Sequence, residues 1–531
     1  MATVAVIGLG AFGLVTLKNL LEEGYDAVGF DSNAYIGGIW HFTTQRSTSA
    51  LESTIVNISR QRCCFTDFPF KDGTSSYPTA AEVDLYLNDY ADHFKLRDRL
   101  KLGTSVLSVD RTDEKWLVKT RTTNGMITEQ LFDKVVCANG PDTVPIMPKL
   151  QNSSVFTGRI LHSIDYKRPQ DFRDQSVLVV GMGNSAADTA TTLVGIAAKV
   201  SLSHRHGSLF LPRFMPDGTC FDHSANYRTF VFRDLLESVA PTLAMGFIDW
   251  FVQSTSKKVF NFKPEWALSP IPSLLHKLPV VSDTLIDEFE AGNIVSVPGI
   301  DEVVGPRQVR LTNGSVVEVD VIIFCTGYRC DYSFLGKNDP SIIRQATTDD
   351  KEARDHAAPR LYQNVLSLEY PDSLAFVGAA ITYFAAFLGA DIASMAVAQL
   401  WHDASQLPTQ REMETWYQRH LSWANSIRKR GTFISNMTEF GSWMKWIEES
   451  AGTHVDDHLR YFSLDAWKFW WKDRKMCQLM LDGIYSPHAF RLFPSEKRRA
   501  WDGAREAIER VNAEVQQQKK DRGKRAQNPV S

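Results

Sequence analysis

A chain of 531 residues with 44% hydrophobic and 23% charged side chains has room for two or three globular domains, and its composition excludes a disordered or fibrous chain. A net charge of −4 leaves no basic surplus for binding nucleic acid. Seven cysteines, an odd count with no C-x-x-C pair, point to a reducing compartment and away from both a disulfide framework and a dithiol redox centre.

The first run, Thr3-Val4-Ala5-Val6-Ile7, reads as a strand, with no basic or apolar leader before it. It enters Gly8-Leu9-Gly10-Ala11-Phe12-Gly13 and then a helix carrying Leu14, Leu17 and Leu21 at helical spacing. A second strand ends at Asp31. Gly8 permits the tight turn, Gly10 lets backbone approach a pyrophosphate, and Gly13 lets helix and strand close on each other. Free N–H groups at the helix start attract phosphate, and an acid about 20 residues on accepts from ribose hydroxyls. Residues 79–102 read as a helix with Val83, Leu87 and Tyr90 on one face, and 104–139 as a β-meander.

A second unit repeats the pattern. Ser176-Val177-Leu178-Val179-Val180 leads into Gly181-Met182-Gly183-Asn184-Ser185-Ala186, and Ala186, Ala187 and Ala190 allow the next helix to lie close on a sheet. Its following strand ends in His204-Arg205-His206 where the first unit has an acid. A carboxylate would repel a ribose 2′-phosphate and a guanidinium binds it, so Arg205 favours NADPH over NADH. Two dinucleotide sites in one chain suit hydride transfer from one cofactor to another, as in a flavoenzyme.

Within 208–290, the stretch from Pro241 to Val252, followed by Lys257-Lys258, reads first as a buried helix, with a helix resting on a membrane surface as the alternative. In the longer run from Phe230 to Val252, Arg233, Asp234, Glu237 and Asp249 interrupt the apolar residues and exclude a bilayer span. Strand and helix return after 370, and the polar, basic end, 511–531, reads as disordered. Cys63-Cys64 reads as core, because adjacent cysteines do not bridge without strain.

Between the two fingerprints stands Phe156-x-Gly158-x-x-x-His162-x-x-x-Tyr166, which by itself reads as a turn with a satisfied core histidine. Other stretches accompany it: Gly37-Gly38-Ile39-Trp40, Asn57-Ile58-Ser59-Arg60, Phe65-Thr66-Asp67-Phe68-Pro69, Phe324-Cys325-Thr326-Gly327-Tyr328, and Ser486-Pro487-His488-Ala489-Phe490-Arg491-Leu492. On these motifs the chain resembles the flavin-containing monooxygenases, class B flavoproteins, over nearly its whole length. Its general flavour is similar to fungal members that serve small-molecule biosynthesis.

The resemblance implies an α/β fold with two Rossmann-like dinucleotide-binding domains. An FAD domain (1–165 and 331–510, the latter with a C-terminal helical region) would be split by an NADPH domain (166–330) that itself carries the segment 208–290. It implies that NADPH reduces FAD, that dioxygen forms a hydroperoxide at the flavin C4a, and that an amine nitrogen or a sulfur takes one oxygen atom. Asn57 matches the family's asparagine near C4a and is the catalytic candidate. Gly8, Gly10, Gly13, Asp31, Gly38, Trp40 and Gln399 would serve FAD; Gly181, Gly183, Asn184, Ser185 and Arg205 would serve NADPH. Phe156, Gly158, His162 and Tyr166 would form a hinge between the domains, and no metal is implied.

The alternatives are a Baeyer–Villiger enzyme acting on a ketone, whose box usually ends in tryptophan where this chain has Tyr166, and a non-catalytic, redox-responsive flavoprotein. Val56 stands where the family usually has threonine, and Cys137-Ala138-Asn139-Gly140 replaces its usual linker. A basic polar end in place of the animal members' hydrophobic anchor points to a cytoplasmic enzyme, with peripheral membrane association as the alternative. The expected partners are a small organic substrate and dioxygen, with a homo-oligomer left open; the Trp-rich stretch at 467–471 would help shape the entrance.

Overall fold

The computed structural model describes the chain except residues 342–358, 382–384, 403–404, 435, 461–462 and 528–531. The first unit forms as its pattern predicts. β1 (Thr3–Ile7), α1 (Ala11–Glu22) and β2 (Asp26–Phe30) follow in order, and the two strands are parallel with Thr3 opposite Asp26. α2 (Ala80–His93) starts on Thr79, which exchanges hydrogen bonds with Glu82 in a capping box. It stops well short of 102, because the chain turns through Arg97–Arg99 into an edge strand, Leu100–Lys101.

β3 (Lys134–Cys137) lies on the other side of β1. It leaves the expected meander, whose three remaining strands, Thr104–Thr112, Lys115–Thr122 and Ile127–Phe132, form an antiparallel sheet of their own. The chain returns far later to complete the first sheet: Leu374–Phe376 pairs parallel with β3, and Leu366–Ser367 and Leu361–Tyr362 form its antiparallel edge.

The second sheet is wholly parallel. It comprises β4 (Arg159–His162), β5 (Ser176–Val180), β6 (Lys199–Ser203), β7 (Val321–Phe324) and Ile294–Val297, in the spatial order Ile294–Val297, β6, β5, β7, β4. α3 (Asn184–Leu193) crosses from β5 to β6 with Ala186, Ala187 and Ala190 buried. Both faces are covered, which explains the unbroken apolar runs of β5 and β7. The sheet draws its edge strand from Arg159–His162, ahead of 166. The fold is thus α/β with two Rossmann-type units, the first interrupted by the second.

The reading of the 241–252 stretch as a buried helix is corrected. α4 (Tyr227–Val239) is followed by α5 (Pro241–Val259), whose Ile248 and Val252 pack on Leu209, Leu211 and Leu274. Leu243, Phe247, Trp250 and Phe251 form a second apolar stripe, at spacings of four, seven and eight, and remain 70, 49, 62 and 49% exposed. The helix has two apolar faces, and among the described residues its neighbours cover one. Among the described residues no helix is long and apolar enough to cross a membrane.

The disordered tail is a second correction. A helix runs over Ala504–Gln527, anchored by Ile508, Val511 and Val515, the latter two packed with Ile484; residues 528–531 lie outside the described residues. Its apolar residues are few but fall on one face, so composition hid what periodicity supports. α6 (Ala386–Trp401) is buried along almost all of its length and runs beside α1 in the same direction: Asn19 donates to Asp391 at 2.8 Å, and the Tyr25 hydroxyl to the Ala398 carbonyl at 3.2 Å.

Candidate active site between two nucleotide folds

The first fingerprint has the backbone that its glycines require. Gly8 has φ +95°, and a Cβ there would stand 2.7 Å from the Ala138 carbonyl oxygen; a Cβ on Gly13 would fall 1.7 Å from the Gly8 oxygen. Gly10 caps α1 with no side-chain acceptor, so the first N–H groups of the helix are left for a ligand. The turn at Gly37-Gly38 closes on it, with a Gly38 Cβ only 3.0 Å from the Gly10 Cα. Asp31 sits at the end of β2, accepting from the Leu9 N–H and the Asn33 N–H at 2.8 Å each; burial pushes its carboxyl pKa up. Trp40 is half-buried and meets Phe387, at the start of α6, edge-on at 6.3 Å. An open cradle of glycine backbone, unpaired helix N–H groups and an adjacent carboxylate fits a dinucleotide.

The second fingerprint is similarly formed. Gly181 has φ +132°, Gly183 caps α3 without a side-chain acceptor, and a Cβ on Gly183 would meet nothing within 4 Å. Ser185 is exposed in the first turn. The Asn184 side chain is engaged within the protein, where its oxygen accepts from the Val281 N–H at 2.8 Å and its amide reaches the Pro279 carbonyl at 3.3 Å. Arg205 is exposed beyond β6, pairs with no carboxylate among the described residues, and lies over Gly299, where a Cβ would come within 2.7 Å of its Cγ. Its neighbour His204 is buried, facing the His206 and Trp266 carbonyls and the Ser296 hydroxyl, and burial holds its pKa below the usual histidine value. Spacing gave no sign of Lys277, whose amine reaches the Gly207 carbonyl at 3.4 Å and is pushed down to about 8 by burial.

Residues 39–62 bridge the two fingerprints. The Ala50 N–H donates to the Ile39 carbonyl beside the first site, while the Thr54 hydroxyl donates to Asp188 on α3 at 3.0 Å. Arg46 pairs with Asp165, and Lys167 donates to the Ser47 carbonyl. Asp222 accepts from both the N–H and the hydroxyl of Ser59 at 2.8 Å. Asn57 stands exposed on this bridge, and Arg213 donates to its side-chain oxygen at 3.1 Å.

The Phe156–Tyr166 box builds the edge of the second sheet. Phe156 packs on one face of that sheet and Tyr166 on the other, its hydroxyl 2.8 Å from that of Thr192. A Cβ on Gly158 would meet the Asp320 oxygen at 2.3 Å. His162 accepts at Nδ1 from the Ile164 N–H, and its Nε2 is 3.1 Å from the Gly327 carbonyl. An imidazole that accepts at one nitrogen and faces a carbonyl with the other is neutral, with its proton on Nε2. Burial lowers its pKa in the same sense. Among the described residues no cluster of histidine, cysteine or carboxylate could hold a metal ion.

Residues 1–530 match the family described as FMO-like, flavin-binding monooxygenase-like. The chain belongs to this family. It is 41% identical over 518 residues to monooxygenase aurF of Gibberella zeae, covering 96% of this chain and 98% of that one. It is 28% identical over 523 residues to dimethylaniline monooxygenase [N-oxide-forming] 2 of Pan troglodytes, covering 95% and 90%. The solved S-allyl-L-cysteine S-oxygenase of Allium sativum shares the fold, with a TM-score of 0.61 at 21% identity over 98% of this chain and 99% of that one. This flavin-binding monooxygenase is therefore an enzyme whose cofactors are FAD and NADPH, which sets aside a non-catalytic flavoprotein.

Within this monooxygenase the glycines of each fingerprint, Asp31, Trp40 and Arg205 lie at the carboxyl ends of parallel strands of the two sheets, where such folds bind ligands. Gln399 does not join them. It lies near the end of α6, one residue after Ala398, which takes the hydrogen bond of Tyr25 just before β2, at the opposite, amino end of the strands. Twelve residues of helix separate it from Phe387, about 18 Å at 1.5 Å per residue. Trp467 and Trp471 are surface residues, 56 and 78% exposed, while Phe469 turns into the core.

Proposed function

We propose that this monooxygenase transfers one atom of dioxygen to a nitrogen or sulfur of a small organic substrate, drawing hydride from NADPH. The observation that carries the reading is Asn57, an exposed carboxamide on the segment tied to both fingerprints. Bound FAD supplies the chemistry, taking hydride and activating dioxygen. The chain supplies placement. Gly8–Gly13 and Asp31 would hold the flavin nucleotide, Gly181–Ser185 by backbone and Arg205 by charge would hold NADPH, and Asn57 would offer an uncharged donor where oxygen is reduced. The N-oxide-forming relative supports a nitrogen acceptor.

Arg205 gives the test of cofactor placement. Under anaerobic conditions NADPH should bleach the bound flavin at lower concentration than NADH. Arg205→Ala should raise the NADPH concentration for half-maximal bleaching roughly ten- to a hundredfold, the loss of one charge-assisted hydrogen bond, and leave NADH unchanged. Equal losses for both cofactors would refute the 2′-phosphate role.

A further inference from the structure

We infer that Arg213 is the positioning residue that fixes which end of the Asn57 carboxamide faces the substrate cleft; this rests on the proposed role of Asn57. Arg213 follows the short strand Phe210–Leu211 and is only 7% exposed. It crosses from the nicotinamide half of the molecule to the flavin half. Its Nε donates to the Val56 carbonyl at 2.9 Å, and its Nη2 donates to the Ile55 carbonyl at 2.8 Å and to the Asn57 side-chain oxygen at 3.1 Å. One guanidinium thus holds three successive residues.

The guanidinium is itself fixed. Asp283 accepts from Arg213 twice, from its backbone N–H and from Nη1, at 3.0 Å each. The Tyr77 hydroxyl donates to the Arg213 carbonyl at 2.6 Å. Burial without these partners would be costly, and with them the arginine has one rigid geometry.

A carboxamide has a donor end and an acceptor end of nearly the same shape, and either can face a neutral neighbour. A guanidinium offers five N–H donors and no acceptor. Asn57 must therefore present its oxygen to Arg213, and its NH2 group is turned away, with no partner among the described residues. Arg213 converts an ambiguous side chain into an oriented donor. A lysine at 213 keeps a donor facing Asn57 but loses the fork. A glutamine can offer either end, and so lets the amide invert.

The test compares Arg213→Lys, Arg213→Gln, Asn57→Ala and the Gln/Ala double variant in the full-length protein. Hydrogen exchange over residues 52–62, measured without cofactors, should rise about tenfold in the glutamine variant, the release expected for one charge-assisted bond. With FAD loaded to wild-type content, the glutamine variant should divert NADPH into hydrogen peroxide as fully as Asn57→Ala, the lysine variant should lie between it and wild type, and the double variant should add nothing to Asn57→Ala. Wild-type coupling in Arg213→Gln alongside an uncoupled Asn57→Ala overturns this inference alone. Wild-type coupling in Asn57→Ala overturns the role of Asn57 and this inference with it. If the glutamine variant loses FAD, the lysine variant decides: excess peroxide at full FAD content supports positioning, and wild-type release overturns it.

Discussion

Asn57→Ala should leave FAD bound and NADPH oxidation nearly intact while product formation collapses. The side chain makes no contact that the fold needs beyond its oxygen facing Arg213, and Arg213 keeps the Ile55 and Val56 carbonyls and Asp283 when that oxygen is removed. Stability should change little. With that donor group removed, the product formed per NADPH should fall about a hundredfold, the usual cost of one preorganised hydrogen-bond donor. Hydrogen peroxide should account for the missing oxygen. Product and peroxide measured in the same reaction check this; undiminished product removes Asn57 from the chemistry.

The second large effect is on stability. Arg491, 2% exposed, donates to Asp67 at 2.8 Å, to both oxygens of Glu22 at 3.1 and 3.0 Å, to Asn19 and to the Thr66 hydroxyl. Lys18 pairs with the same two carboxylates, and Arg498 with Glu22. Burial alone would raise Asp67 and Glu22; Arg491 and Lys18 hold both below the usual carboxylate range. Removing one partner leaves a buried carboxylate undercompensated, so Arg491→Met should cost about 3–5 kcal/mol, readable as a shift in the urea midpoint.

The pH dependence has a definite sign. Carboxylates with depressed folded pKa values contribute stability that is present above their unfolded pKa and is lost as pH falls toward the folded value. In the methionine variant those pKa values move up, and protonation relieves the buried charge sooner. The gap between the two proteins should therefore be widest near neutral pH and should narrow on acidification. A pH-independent gap would show that lost packing, and not charge, is responsible.

The parts of the molecule legible in sequence are those set by backbone geometry or local period. Gly8 and Gly181 announce turns that only glycine adopts, Gly13 a helix–strand approach that leaves no room for a Cβ, and Asp31 and Arg205 sit at fixed offsets after them, so both candidate nucleotide sites could be read from linear spacing. Contacts between distant side chains could not. Asn57 and Arg213 are 156 positions apart, and nothing in the Leu211-Pro212-Arg213 stretch pairs it with residue 57. The motifs at 65–69 and 486–492 were recognisable as likeness, but only the fold shows that they meet through Asp67 and Arg491.

Apolar period also fails to say which neighbour covers a face. α5 has two apolar stripes, of which the described residues cover one, and the helix at the chain end carries its few aliphatic residues on one side of a polar sequence. Gln399 shows a related limit: its position along a helix decides which end of the strands it reaches, and a loose motif match does not give that position.

The most direct test of the account is isotope-labelled dioxygen supplied to the FAD-loaded protein with NADPH and, in parallel, a thioether, a tertiary amine and a ketone. The prediction is one labelled oxygen atom in the sulfoxide or amine oxide for each NADPH consumed, with the ketone recovered unchanged. A labelled ester or lactone from the ketone, with thioether and amine untouched, would contradict it.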